Sequence, residues 1–198
     1  MALERRGDNY EAQEMFKQAL ELIPDHGNAH YMLGRLQQNF FFVGDLEHSG
    51  SFPDMVTHLR KAVERGCQPA LLALSRLLFF SKDRDFTTDP AHYAEILACT
   101  KELACTSKTA EAHHEYGQHL SKCCTIEDFP AALELSFVAI TTAIEIGPPT
   151  FQYYTDLMNV LHLSHRLPEA IAAGKKALEL RPNYSYVKQL LARIQWYR

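Results

Sequence analysis

Apolar residues recur along most of the chain at intervals of three and four positions, and no segment alternates regularly between apolar and polar residues. This spacing places the apolar side chains on one face of an α-helix, whereas a half-buried strand needs a period of two. The pattern predicts an all-α protein without strands. The helices predicted are 8–23, 27–41, 52–65, 69–80, 89–104, 108–123, 128–147, 150–164, 167–180 and 184–197.

One motif of small and apolar residues, the repeat motif, occurs three times along the chain. In its last copy, Ala170 and Ala177 share one helix face, and Pro182 closes the helix. The same motif occurs 34 residues earlier, over 136–148, and again near the start of the chain, over 12–24. Such a recurrence indicates stacked copies of one supersecondary unit, each of which buries its apolar face against its neighbours.

The repeat motif resembles that of the tetratricopeptide repeat (TPR), a helix–turn–helix unit of about 34 residues. The preceding helices also fit, because Leu33-Gly34, Leu157-Met158 and Leu191-Ala192 hold equivalent places nine and ten residues after the closing prolines. The resemblance is clear over 7–38 and 136–198. It implies an α-solenoid of about five antiparallel helix pairs, forming a single superhelical domain over 1–198.

The middle of the chain, 39–135, departs from the repeat and is predicted to hold degenerate units. An insertion around Val43–Ser51 displaces the next helix, and one ring of the run Phe40-Phe41-Phe42 must be covered by that insertion or by a partner. Gly7-Asp8 and Leu167-Pro168 are predicted to be turns before second helices. Both terminal units look incomplete, so we expect either a fragment of a longer chain or a partner over the ends.

Composition narrows the classes of partner. The net charge of −4 and pI near 6.2 lack the basic surface that nucleic acids require, which argues against a nucleic-acid partner. No apolar run approaches the ~18 residues of a membrane span, and the first residues do not form a signal peptide. Five cysteines, an odd number without a Cys-x-x-Cys pair, predict reduced thiols and a cytoplasmic location.

One stripe of side chains could hold a metal. Glu115, His119 and Cys123 are spaced four residues apart on one helix, just after His113 and His114. Zinc usually takes four ligands from more than one element, and no fourth ligand has a recognisable spacing. We therefore predict no tightly bound metal and no cofactor.

The sequence also lacks the motifs of common catalytic sites. It holds neither a phosphate-binding glycine loop nor a nucleophile elbow. His119 could activate the Cys123-Cys124 thiols, but no orienting carboxylate or oxyanion hole is marked. His162 and His165 are expected at a helix end, where they interact with the terminal carbonyls. The prediction is a protein that is not an enzyme.

The resemblance also implies where a partner binds, because TPR proteins hold an extended peptide or a helix on the concave face lined by their first helices. It implies a protein-interaction scaffold or adaptor. The alternatives are a non-catalytic segment of a larger enzyme, such as a glycosyltransferase or hydroxylase, and self-association through the terminal helices. The exposed first-helix positions predicted to contact the partner are Tyr31, Arg35, Gln38, His114, Gln118, Gln152, Asp156, Asn159, Gln189 and Arg193.

Some TPR proteins clamp the terminal carboxylate of a chaperone tail with lysine and asparagine pairs. In the aligned first helices only Asn159 matches that clamp, and no lysine accompanies it. Chaperone-tail binding is therefore not predicted. For any single residue of the predicted set, a solvated helix face is the other interpretation.

Overall fold

The computed structural model describes residues 2–45, 47–79, 90–123 and 129–196, with the side chains of 2–7, 90, 92, 123 and 195 outside that description. Over these residues the chain is all helical, as predicted, and each predicted helix is present. The helices are α1 (Ala2–Leu22), α2 (Gly27–Phe42), α3 (Phe52–Glu64), α4 (Gln68–Phe79), α5 (Pro90–Ser107), α6 (Ala110–Cys123), α7 (Phe129–Ile146), α8 (Phe151–Leu163), α9 (Leu167–Leu180) and α10 (Ser185–Trp196).

The start of α1 differs from the prediction. The helix begins at Ala2 rather than at residue 8, so Gly7-Asp8 lies inside a helix and does not form a turn. A single glycine costs a helix about 1 kcal/mol, and the good helix formers around it, such as Glu4 and Arg5, offset that cost. By contrast, Leu167-Pro168 begins α9 as expected.

Polar caps and prolines fix the starts of several helices. Ser51 caps α3 by accepting from the backbone N–H of Asp54, whose carboxylate accepts in return from the Ser51 N–H. Thr150 caps α8 in the same way through the N–H of Tyr153. Asp89, with which the predicted helix 89–104 begins, lies outside the described residues.

The helices divide into two compact units, and the boundary falls within α5. Unit 1 covers Met1–Cys99 and unit 2 covers Thr100–Arg198. In unit 1, α2 packs against α1, α3 and α4. The core residues of unit 1 that are completely or almost completely buried are Leu33, Met55, Leu59, Leu74, Leu77, Leu78 and Ile96. The single domain over 1–198 stays a prediction.

Unit 2 is built from two helix pairs and a final helix. α6 packs against α7, α8 packs against α9, and α10 packs against α9. One core cluster surrounds Met158 and Ile194, which are 0% and 1% exposed, and a second surrounds Ile140. The small residues of the repeat motif, Ala170 and Ala177, are buried in the first cluster, as their spacing predicted.

A glycine allows close helix approach in each of three pairs. A Cβ atom at Gly34 of α2 would lie 3.0 Å from the Leu59 side chain of α3. At Gly117 of α6 it would lie 2.7 Å from Cγ1 of Ile140 and 3.0 Å from a backbone oxygen of α7. In the last pair the glycine is on the second helix, where a Cβ at Gly174 would lie 2.6 Å from the Met158 sulfur.

The insertion between α2 and α3 packs against α1. Asp45 accepts a hydrogen bond from the Tyr10 hydroxyl at 2.7 Å, and His48 Nδ1 lies 2.9 Å from the same carboxylate. The bond from Tyr10, followed by that from His48, lowers the pKa of Asp45. The rings of Tyr10 and His48 also flank Phe40, which is 4% exposed, whereas Phe42 remains 55% exposed.

Helix α7 corrects one expectation from the sequence. Among the described residues it alone is long and apolar enough to cross a membrane by length and composition, so the statement that no run approaches 18 residues is wrong. The helix qualifies because it is 18 residues long and carries only two charged residues, Glu134 and Glu145. Its Thr141 hydroxyl donates to the Phe137 carbonyl of the same helix. A buried core helix passes the same test, and the exclusion of membrane insertion stays a prediction.

The glycine contacts predict unequal effects of the same substitution. Gly117→Ala should lower the free energy of unfolding, because overpacking against a backbone oxygen costs about 1–3 kcal/mol and helix propensity returns only about 1 kcal/mol. Gly174→Ala should cost less, since a Cβ there meets only side-chain atoms, the Met158 sulfur and Leu191 Cδ2 at 2.8 Å, which can move aside more easily than backbone can. Urea denaturation of both variants tests this, and an equal loss in the two would contradict it.

A second prediction concerns how far a packing defect spreads. Ala177→Leu overpacks the α8–α9 contact at a cost of about 1–3 kcal/mol, and in a quasi-linear stack this cost falls on neighbouring elements. Hydrogen exchange should rise first within 150–198, while unit 1 keeps its protection. Ala192→Leu, at an exposed position of α10, is the matched control. A uniform loss along the chain would indicate one globular core instead.

Candidate functional site

The predicted binding positions lie on the first helices of the repeat pairs. The first helices are α2 and α4 in unit 1, and α6, α8 and α10 in unit 2, and all of them except α4 carry predicted positions. Unit 1 contributes Tyr31, Arg35 and Gln38 to the predicted set, and the remaining seven positions belong to unit 2.

In unit 1, Tyr31 and Arg35 form one local arrangement. The Arg35 guanidinium donates to the Tyr31 hydroxyl at 3.1 Å and lies 5.8 Å from the centre of its ring. Arg35 is exposed and Tyr31 is half-buried. Tyr31 also lines a groove of about 570 Å³ between the first turns of α2 and α4. Its other lining residues are Asn28, Met32, Gly66, Cys67, Gln68 and Pro69.

Gln38 is not an exposed binding residue, contrary to the prediction. Its side chain is 8% exposed and donates to the carbonyl oxygen of Ala73 at 3.5 Å, which connects α2 to α4. The reason is its position one helical turn after Gly34, on the side of α2 that packs against its neighbours. Gln38 therefore supports the site without lining it.

In unit 2, three predicted residues come together in one hydrogen-bonded cluster. Asp156 of α8 accepts from Gln118 of α6 at 3.0 Å, and its carboxylate lies 2.8 Å from His114 Nε2. The His114 and Asp156 side chains are 11% and 17% exposed, so the cluster lies at the base of the surface. Bonds to a half-buried carboxylate hold α6 and α8 in one register.

Tyr153 belongs to the same cluster, although the sequence did not single it out. Its ring centre lies 4.5 Å from that of His114. Burial, followed by the charges of Glu111 and Glu115, raises the pKa of the Tyr153 hydroxyl. The signal that could have identified it is its spacing, because Tyr153 precedes Asp156 by three positions on one helix face.

A second polar contact joins α8 to α10. The Tyr186 hydroxyl donates to the Asn159 side-chain oxygen at 2.8 Å. Tyr186 then lines a groove of about 290 Å³ together with Gln189, Leu190 and Arg193. Gln189 and Arg193 are exposed, as predicted, and Tyr186 is a lining residue that the sequence analysis missed.

The charge of Arg193 acts on His162 at the end of α8. Burial lowers the pKa of His162, and the charges of Arg193 and His165 lower it further. His165 follows the end of α8 with a φ of 58°, so its placement at a helix end agrees with the expectation from the sequence. Gln152 is exposed at the first turn of α8.

Solved structures of low sequence identity share this architecture. YrrB, described as a TPR protein with an unusual peptide-binding site, has a TM-score of 0.70 over 96% of this chain and 86% of its own, at 14% identity. TTC0263, a thermophilic TPR protein in Thermus thermophilus, has a TM-score of 0.60 over 98% and 94%, at 18% identity. Acl4, an assembly chaperone of RpL4, has a TM-score of 0.60 over 92% and 73%, at 17% identity.

The chain has the fold of tetratricopeptide repeat proteins. The predicted all-α solenoid class is thereby confirmed. The sequence matches no protein-family model, and it matches no curated protein. At these identities the likeness establishes the TPR fold alone.

Within the TPR fold, the carboxylate clamp finds little support from the aligned side chains. Thr155, one turn before Asn159 on α8, is 6% exposed and donates to the Phe151 carbonyl of its own helix. Asn159 accepts from Tyr186 and is already engaged. That a chaperone tail is not clamped here stays a prediction.

The potential metal stripe of α6 is only partly described. His119 Nε2 lies 3.7 Å from a Glu115 oxygen, and His114 is engaged by Asp156 instead. Among the described residues no three histidine, cysteine, aspartate or glutamate side chains are grouped to hold a metal. The Cys123 side chain lies outside them, so the prediction of no bound metal stays a prediction.

The His114–Asp156 contact predicts a measurable coupling. Asp156→Ala removes the acceptor shared by two donors, and we expect a loss of about 1–3 kcal/mol in the free energy of unfolding, because hydrogen bonds to charged groups are worth this much. Glu145→Ala, at an exposed carboxylate of α7, should change it by less than about 0.5 kcal/mol. A double-mutant cycle with His114→Ala should show non-additivity. Additive losses would mean that the two side chains do not interact.

Proposed function

We propose that the chain is a protein-interaction scaffold whose first helices bind an extended peptide or a helix of a partner protein. The observation that carries this proposal is the polar face of unit 2. Asp156 joins α6 to α8, and Tyr186 joins α8 to α10, so side chains of three successive first helices form one surface. A surface whose side chains are already held in place loses less conformational entropy on binding.

The side chains favour a partner with mixed polarity. His114, Gln118 and Gln189 offer neutral or titratable hydrogen-bonding groups, and Arg193 offers an exposed cation beside Leu190. A peptide backbone can use such donors and acceptors, while apolar side chains fill the grooves. That YrrB, a protein of this fold, has a peptide-binding site supports this class of partner.

The same proposal assigns the chain no catalytic step of its own. The fold recurs in a peptide-binding protein and in an assembly chaperone, which supports a binding role. The cytoplasmic location and the exclusion of nucleic acid stay predictions from composition and charge. Self-association through terminal helices also stays a prediction.

Site-specific photocrosslinking tests the proposed face directly. A photoreactive phenylalanine at Gln189 of α10 should crosslink to a partner peptide that mass spectrometry can identify, whereas the same group at Lys175, exposed on α9, should not. The identified peptide is then synthesised and titrated. Arg193→Ala should weaken its binding by about tenfold or more, equivalent to about 1.4 kcal/mol.

Lys175→Ala removes an equally exposed cation from the second-helix side and is the matched control, for which we expect unchanged affinity. Equal weakening in both variants would indicate a general charge effect. Crosslinks that form only from α9 would place the partner on the opposite side of the repeats and overturn the proposal.

A further inference from the structure

Two histidines of unit 1 connect three successive elements through one short chain of contacts. The Nδ1 atoms of His30 on α2 and His58 on α3 lie 2.8 Å apart. The other ring nitrogen of His30 lies 2.8 Å from the carbonyl oxygen of Pro24, just after the end of α1. His30 is 3% exposed, whereas His58 is half-buried and Pro24 is exposed, so the contacts are shielded from water on the His30 side.

The acceptors decide where the hydrogens are. A carbonyl oxygen can only accept, so His30 Nε2 carries a hydrogen and donates it to Pro24. In the neutral ring the Nδ1 of His30 then has a free lone pair, and the Nδ1 of His58 donates to it. A proton added to His30 Nδ1 would place two N–H groups against each other at this short distance, and the contact would have to break.

The surrounding charges act on the pair from both sides. Burial lowers the pKa of His58, the charges of His30 and Lys61 lower it further, and Asp54 acts in the opposite direction. Asp54 is itself engaged as the capping-box partner of Ser51. The helix α3 therefore offers the imidazole pair one cation and one carboxylate that already has a hydrogen-bond partner.

The turn that faces α3 supplies two further titratable groups. Asp25 forms an ion pair with Arg65 at 2.6 Å. His26 uses its Nδ1 to accept from the backbone N–H of Ala29, as the cap of α2. Both groups are thus occupied by partners of their own.

We propose that His30 and His58 form a proton-sensitive joint, which holds α2 against α3 at neutral pH and opens when the pair is protonated. Opening loosens the helix that carries Tyr31 and Arg35. That consequence for partner binding rests on the proposed function, whereas the joint itself does not.

The direction of the pH effect follows from linkage. A histidine in the unfolded chain has a pKa of about 6.5, and His58 has a lower one in the folded protein. As the pH falls, the unfolded chain takes up this proton first, so unit 1 is destabilised as the pH falls below about 6.5. In the folded pair a proton on His58 Nε2 leaves its Nδ1–H donor in place, and the second proton, on His30 Nδ1, is the one that breaks the contact. Above that pH the stabilisation is fully present.

Unit 2 provides an internal control. Gly34 and Leu59, which face each other in unit 1, correspond in the repeat to Met158 and Gly174 in unit 2. Counting back from these positions, His30 and His58 correspond to Tyr154 and Ala173, which line one groove of unit 2. Neither residue is a histidine, the side chain whose ordinary pKa lies between 5 and 8.

Hydrogen exchange of the full chain tests the joint. Between about pH 7.5 and about pH 5.5, protection factors in α2 and α3 should fall by about tenfold for each proton linked to opening, while those in α8 and α9 should stay nearly constant. The double variant His30→Tyr/His58→Ala introduces the pair that unit 2 uses and should abolish the pH dependence in α2 and α3.

A second measurement needs no substitution. Two-bond ¹H–¹⁵N spectra of the unmodified chain at neutral pH should show the Nε2–H tautomer for His30 and the Nδ1–H tautomer for His58. Any other pair of tautomers would overturn the proposal, and so would pH-independent protection of α2 and α3. If the joint opens as expected but a partner peptide binds equally well at both pH values, its link to the binding face is wrong while the joint stands.

Discussion

The close approach of paired helices is the constraint on which the rest of this structure depends. In each of three pairs, one glycine faces a large side chain: Gly34 faces Leu59, Gly117 faces Ile140, and Gly174 faces Met158. The glycine stands on the first helix in two pairs and on the second helix in the last. What the packing requires is therefore a small residue on either side of the contact, since the combined volume at the crossing must remain small.

This constraint decides which side chains are available for binding. Once one face of a first helix is committed to its partner helix, positions one turn along the same face are buried as well. Gln38 illustrates this, because its amide is used to connect α2 to α4 instead of lining the surface. The positions that remain open, such as Arg35 and Arg193, lie on the opposite side of their helices.

Polar contacts between first helices then add a second level of order. In unit 2 the carboxylate of Asp156 and the hydroxyl of Tyr186 link three helices at the surface, where apolar packing is weakest. In unit 1 the polar contact between first helices is the buried bond from Gln38 to the Ala73 carbonyl, whereas Tyr31 and Arg35 bond to each other within α2. The His30–His58 contact joins α2 to α3. The repeats thus share their packing and differ in the groups that connect them.

The sequence by itself determined the helices and the repeat, because both follow from local spacing. Apolar periodicity and the closing prolines placed α2, α8 and α9 to within one or two residues. The buried Ala170 and Ala177 were identified from their positions in the repeat motif. It misplaced the start of α1, because a glycine among good helix formers does not end a helix. Only the tertiary structure decided how the exposed positions are used. Asp156 meets His114 across 42 residues, and His30 meets His58 across 28, in pairings that spacing along one helix cannot reveal. Such contacts depend on which faces of separate helices pack together, and that is a property of the folded chain.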